Sequence, residues 1–250
     1  MKIHIQAALA AGAICMGSSL APVGANTKMI ALVASNATAS MTEIAEAYMN
    51  SHPGVTVQIS PAGSKVIVAE VAMGAEADLV LVSKEFADSA KGVEAPILMF
   101  SNHTVVSANK GGKVKTAQDL AKSGIRLVGG TSGSVENSIT SATLASLSKT
   151  YGADFAVKAN ANIETSKTSL EQAQKAIEDG AVDAGIVFAA DASTGKANLI
   201  DLGDRTVVVK YEAAVVSASK NAGNARDFLT FMSGSEGQAI FRKHHHDVGR

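Results

Sequence analysis

The chain has 250 residues, with 22 Lys and Arg against 23 Asp and Glu and a formal charge of −1. That balance excludes a nucleic-acid binder, which needs a basic excess to displace counterions. Apolar residues make up 46% and aromatics 4%, with no Trp. The core is therefore aliphatic, stacking platforms for bases are nearly absent, and the length suits one large or two small domains.

Residues 1–25 read as a cleavable secretory signal. Lys2 supplies the positive start, an apolar stretch follows to Leu20, and Val23-Gly24-Ala25 places small residues before a cut after Ala25. Ile14 precedes the single cysteine, Cys15, where a lipoprotein signal needs a small residue, so the cysteine leaves with the signal. The mature chain then has no disulfide and no thiol nucleophile. No later segment approaches the roughly 18 apolar residues of a membrane span. Export without a span predicts a periplasmic location.

In chain order, a strand is expected at 29–34, then a helix with Ile44, Ala45, Tyr48 and Met49 on one face and Ser40 with Glu43 as a capping box. His52-Pro53-Gly54 ends it. Val55, Val57 and Ile59 alternate as a strand. Ser64 caps a helix to Met73 that Gly74 closes. Buried strands are expected at 79–82 and 97–100, and another at 103–108. Thr116 and Asp119 form a second capping box before a short helix that Gly124 stops. Strand 125–128 leads through a glycine and hydroxyl loop at 129–134 into a helix over 135–149. Thr168 and Glu171 cap a helix that ends at Gly180, 185–188 is a strand, and 206–217 is a long β run. Helices over 222–232 and 235–244 finish the chain.

This alternation predicts an α/β fold of parallel sheets covered by helices. The long extended segments near 101–108 and 206–216 are the candidates for two hinge crossings between lobes of discontinuous sequence, with a cleft between them. The expected division is 26–104 plus 212–250 for one lobe and 105–211 for the other.

Ligands of open α/β sheets collect beyond the carboxyl ends of strands. Four strand-to-helix loops qualify: 34–38, 60–65, 130–134 and 165–170. All are rich in small and hydroxyl residues. Backbone N–H groups, hydroxyls and helix dipoles at such starts make an anion site, although hydroxyls there also serve as simple caps. Lys65, in the first turn of its helix, is either a solvated lysine at an electrostatic cost or a partner for a bound anion. Catalytic motifs are lacking: Gly130-Thr131-Ser132-Gly133 has not the spacing of a nucleophile elbow, and no Walker loop or zinc-protease helix occurs. His244-His245-His246-Asp247 reads as a solvated tail, because adjacent histidines diverge and a structural zinc needs four converging ligands. His103 is expected to end a strand at the hinge.

Two stretches, Gly74-Ala75-Glu76-Ala77-Asp78-Leu79 and Asp183-Ala184-Gly185-Ile186-Val187-Phe188-Ala189-Ala190-Asp191-Ala192, resemble signatures of the periplasmic molybdate-binding proteins, the capture subunits of ABC importers. The resemblance runs from about Lys28 to Phe241. It implies a two-lobed, venus-flytrap fold with two hinge crossings and a tetrahedral oxyanion held by uncharged donors. It also implies ligand-binding positions at Asn36, where the family carries Ser, and at Ser64, where the following Gly is Lys65 here. Backbone donors of the family fall near Ser132 and Ser134, and near Ser169 and Leu170. Phe188 stands where the family has Tyr and lacks its hydroxyl.

The expected function is therefore a non-enzymatic, monomeric periplasmic protein that takes molybdate or a related oxyanion such as tungstate or sulfate to a membrane ABC permease. It needs no cofactor, no resident metal and no nucleic acid. The same fold binding a small carboxylate or sugar acid, for uptake or sensing, is the alternative, and an exported serine hydrolase a remote one.

Overall fold

A computed structural model describes residues 26–130, 135–167, 170–192 and 195–249. The proposed signal and Cys15, together with Ser132, Ser134, Thr168 and Ser169, lie outside the described residues. The strands are β1 (Thr27–Ala34), β2 (Val55–Ala62), β3 (Leu79–Ser83), β4 (Ile97–Asn109), β5 (Leu127–Gly130), β6 (Ile163–Lys167), β7 (Ala184–Phe188), β8 (Ala197–Ile200) and β9 (Val208–Val215). The helices are α1 (Thr38–Ser51), α2 (Ser64–Ala72), α3 (Lys84–Ala87), α4 (Val135–Tyr151), α5 (Phe155–Ala161), α6 (Leu170–Glu178), α7 (Ala189–Ala192), α8 (Ala222–Ser233) and α9 (Ser235–Lys243). No helix among the described residues is long and apolar enough to cross a membrane.

The strands join in the order β2-β1-β3-β9-β4-β7-β5-β6, with β8 also on β4. Two half-sheets share β4. Its amino-terminal part, Ile97 to His103, pairs antiparallel with β9. Its carboxyl part, Thr104 to Ala108, pairs with β7 on the opposite edge. The sheet is thus mixed where wholly parallel sheets were expected: β3–β9, β4–β9, β4–β7 and β4–β8 are antiparallel. Likewise, the two strands expected at 97–100 and 103–108 are one. Ser101-Asn102-His103 interrupts the apolar pattern but not the ladder, because both edges of β4 find partners there.

Each half-sheet has apolar layers of its own. Met41, Ile44, Tyr48, Phe228, Met232 and Phe241 pack from α1, α8 and α9 onto Val33, Leu81, Phe100 and Tyr211. Across the sheet, Ile67 and Val71 of α2 cover Leu32, Val80 and Val82. In the other half, Leu144 and Leu147 of α4 and Phe155 of α5 pack with Leu127 and Ile186, while Ile177 of α6 packs with Val187 and Phe188.

Several local expectations change. Helix α1 begins at Thr38 directly out of a 3₁₀ turn, Ser35–Ala37, so Ser40 lies inside its first turn and makes no capping box. Its hydroxyl approaches the Ala37 carbonyl at 3.0 Å, and Glu43 points instead to Lys243 at 2.7 Å. Ser64 is the first residue of α2 rather than its cap, which is Gly63. The Thr116–Asp119 box is present, though on a 3₁₀ turn, Ala117–Ala121. Gly54 and Gly74 end α1 and α2 with positive φ, of 91° and 85°, which glycine adopts without a Cβ clash. Elements α3, α5, β6, α7 and β8, all short, have no counterpart in the sequence expectations.

Candidate functional site

Register places the carboxyl ends of the strands. Ala34 of β1 lies beside Ala62 of β2, and Val33 beside Leu81 of β3. The turns at Asn36, Ser64 and Ser83 therefore leave one edge side by side. That edge reaches β4 through Ser83, Tyr211 and Phe100, which are successive ladder partners. In the other half, Val128 of β5 lies beside Gly185 of β7, and Gly130 beside Lys167 of β6. This second edge reaches β4 at Thr104, the partner of Phe188. Strand β3 runs parallel to β4 and β7 antiparallel to it, so the two carboxyl edges face each other. Four residues of β4 separate them, roughly 13 Å of extended chain.

Asn36 lies in the 3₁₀ turn between β1 and α1, partly buried, and its Nδ2 is buried with no hydrogen-bond partner among the described residues. Ser64 is 4% exposed, and its Oγ accepts the backbone N–H of Ser83 at 3.0 Å. This bond ties the β2–α2 turn to the β3–α3 turn and leaves the hydroxyl proton to donate elsewhere. The N–H groups of Ser64 and Lys65, the first two of α2, have no intrahelical acceptor by position. The Lys65 side chain is exposed and makes no ion pair among the described residues.

On the facing edge, Leu170 opens α6, so its N–H is the first of that helix. Ser132 and Ser134 fall between Gly130, the end of β5, and Val135, the start of α4, outside the described residues. Phe188 ends β7 on this edge, but its ring is 1% exposed and packs with Val105, Val128, Ile139 and Ile177. It fills the core and presents no surface to the space between the edges.

Two of the three signature aspartates, Asp78 and Asp183, lie at the far ends of the strands. The Asp78 carboxylate accepts the Ile30 N–H at 2.8 Å, while the Asp78 N–H donates to the Ile30 carbonyl at 2.8 Å. Asp183 and Arg126 repeat this reciprocal pair, at 2.8 Å in both directions. Burial pushes the Asp183 carboxyl up, but the Arg126 N–H and guanidinium more than offset it, and its pKa is lowered. These residues lock strand beginnings and are remote from the facing edges.

Two of the three carboxyl-terminal histidines, His244 and His246, are docked, contrary to the expected solvated tail, while His245 is exposed. His244 meets Glu43 at 2.8 Å. His246 is 5% exposed, stacks on Phe100 with ring centroids 4.1 Å apart, and bridges Ser40 (3.1 Å) and Asn102 (2.7 Å). Asp247 pairs with Ser101 through two backbone bonds of 2.8 Å and with the His103 ring at 2.6 Å. His103 thus lies within β4 instead of ending a strand. The tail docks because β7 begins its pairing only at Thr104, which leaves the edge of β4 open at Ser101. No group of three or more His, Cys, Asp or Glu among the described residues is arranged to hold a metal.

Asn102 is the residue the sequence reading passed over. Its Nδ2, like that of Asn36, is buried without a partner among the described residues. An amide between the apolar runs 97–100 and 105–106 was the available signal, since Asn is depleted in strands.

Residues 30–246 match the family model described as bacterial extracellular solute-binding protein. The chain is 23% identical over 253 aligned positions to the molybdate-binding protein ModA of Mycobacterium bovis, covering 94% of this chain and 93% of that one. Among solved structures it is similar to the periplasmic molybdate-binding protein of Azotobacter vinelandii, with a TM-score of 0.72, 18% identity, and coverage of 89% of this chain and 100% of that one. It is also similar to PEB3 with L-phospholactate bound, with a TM-score of 0.71, 17% identity, and coverage of 88% and 100%. The fold is the two-lobed one of periplasmic solute-binding proteins. The chain belongs to the bacterial extracellular solute-binding protein family.

Proposed function

We propose that this protein captures molybdate or a related tetrahedral oxyanion, such as tungstate or sulfate, in the periplasm and hands it to a membrane ABC permease. The observation that carries the reading is the pair of facing carboxyl edges with uncharged donors at the start of each: Asn36, Ser64 and the first N–H groups of α2 on one side, and the Leu170 N–H of α6 on the other. Ser132 and Ser134, on the link between β5 and α4, are assigned to the same set. A site built from donors favours a fully deprotonated anion, because a protonated oxygen brings a donor that finds no acceptor. Residues 26–104 with 212–250 form one lobe in this reading and 105–211 the other. An anion that bonds to both shifts the population toward the closed form.

The protein acts as a monomer after cleavage at Ala25 and performs no catalysis. The similarity to the ModA proteins supports molybdate. Calorimetric titration with molybdate, tungstate, sulfate and phosphate tests it, and absence of binding to all four rejects it.

A second reading rests on Lys65, an exposed cation at the start of α2, and on the similarity to PEB3 with L-phospholactate bound. In that reading the ligand is an organic anion whose carboxylate or phosphate group meets Lys65. Tighter binding of L-phospholactate than of molybdate selects it.

A further inference from the structure

Three observations meet at Asn102. By register it lies midway between Phe100, where one carboxyl edge reaches β4, and Thr104, where the other does. By alternation it shares a face of β4 with both. Phe100 on that face packs among α1-side residues, and the Thr104 hydroxyl meets Thr143 of α4 at 3.2 Å. Asn102 therefore lies on the face that carries the helices following β1 and β5. Finally, it is 2% exposed, and its Nδ2 has no acceptor. A buried amide left so carries a desolvation penalty that a ligand oxygen would remove.

We propose that Asn102 is an anion-binding residue on the floor of the cleft, its amide N–H donating to an oxygen of the bound oxyanion, with His246 as the positioning residue that turns the amide. This rests on the oxyanion reading above.

His246 is the shared partner of the cleft floor and the first turn of α1. With the ring proton on Nδ1, Nδ1–H donates to Asn102 Oδ1 across 2.7 Å, and the Ser40 hydroxyl must turn its one proton away from the Ala37 carbonyl, 3.0 Å off, to donate to Nε2 across 3.1 Å. Of the side-chain groups linked here, only the Asn102 NH₂ is then without a partner among the described residues, and it is left as a donor. With the proton on Nε2, the amide must turn over to donate to Nδ1, and its carbonyl would be left facing the anion. A bound oxyanion selects the first arrangement, because an acceptor facing an acceptor is repulsive. The Asn36 Nδ2, equally unpartnered and four residues before Ser40, supplies a second amide to the same guest.

The test is calorimetric titration of the full mature chain with sodium molybdate, tungstate, sulfate, phosphate and L-phospholactate, for wild type, Asn102→Asp and Asn102→Ala. Asp keeps the oxygen that accepts from His246 and replaces the outward donor by a repelling oxygen. Binding of the preferred anion is expected to vanish in Asn102→Asp and to weaken roughly 10- to 100-fold in Asn102→Ala, the worth of one charge-assisted hydrogen bond. Imidazole ¹⁵N spectra of the complex are expected to place the His246 proton on Nδ1. Wild-type binding with unchanged affinity in Asn102→Ala, or a His246 proton on Nε2 in the complex, overturns the inference and leaves the oxyanion reading standing. No binding of any of these anions by the wild type overturns both.

Discussion

Ser64 Oγ accepts the backbone N–H of Ser83 at 3.0 Å, and so one hydroxyl joins two neighbouring turns of the facing edge. A simple helix cap would cost little to remove. This hydroxyl also satisfies a buried amide, so Ser64→Ala leaves the Ser83 N–H unpaired. The expected outcome is a loss of about 1–3 kcal/mol of unfolding free energy in denaturant titration, together with anion affinity at least tenfold weaker in calorimetry. Intact stability with weakened binding would mean that Ser64 serves the ligand alone.

His246 gives the protein a pH dependence in a window unusual for carboxylate-driven unfolding. Burial first, then the neighbouring His244 and His245 charges, hold its pKa down to about 4 from the ordinary 6.5, against the opposing effect of Asp247. Above pH 6.5 both the folded and the unfolded chain carry a neutral ring. Below it the unfolded chain takes up a proton that the folded one refuses until about pH 4. Stability therefore falls through that interval, by up to about 3 kcal/mol. Thermal melts between pH 7.5 and 4.5 are expected to show the decline in wild type and a flatter profile in His246→Gln.

Asp78 separates stability from binding. Its carboxylate holds the Ile30 N–H, the Ser219 hydroxyl at 2.6 Å and the Asn221 amide at 3.2 Å, all at the end of the sheet away from the facing edges. Asp78→Ala strands these donors and is expected to cost about 2–4 kcal/mol. Anion affinity, measured by calorimetry well below the lowered melting temperature, is expected to stay within twofold of wild type.

Gly185 owes its place to a close approach. A Cβ there would lie 2.6 Å from Val128 Cγ1 and 3.1 Å from the Val128 carbonyl oxygen. Gly185→Ala is expected to push β5 from β7 and lower stability by about 1–3 kcal/mol, read as a shift of the denaturant midpoint at constant slope.

The lobe cores were legible in the sequence because aliphatic runs such as 79–82 and amphipathic helices such as α1 carry their periodicity openly. The turns at Asn36 and Ser64 were legible for a similar reason: small and hydroxyl residues follow an apolar strand. What escaped was set by partners distant in sequence. His246 looks like one of a solvated triplet until Phe100, Asn102 and Ser40, none within a hundred residues of it, close around its ring. Ser40 with Glu43 has the letters of a capping box, yet the 3₁₀ turn before α1 starts the helix three residues early, and Lys243 and His244 claim the glutamate. Phe188 ends a strand at the facing edge, but its ring direction depends on the strand's neighbours, and these turn it inward.

Because β4 bonds to β9 as far as His103 and to β7 from Thr104 on, the two half-sheets share one strand, and the proposed closure has no loose joint to turn about. In that proposal the motion is taken up as torsion spread along β4, with Asp247 clipped to its free side. Such a stem behaves as a spring of limited travel. It returns the jaws to a narrow range of angles after each release, and it keeps the empty vessel close to the shape its next passenger requires.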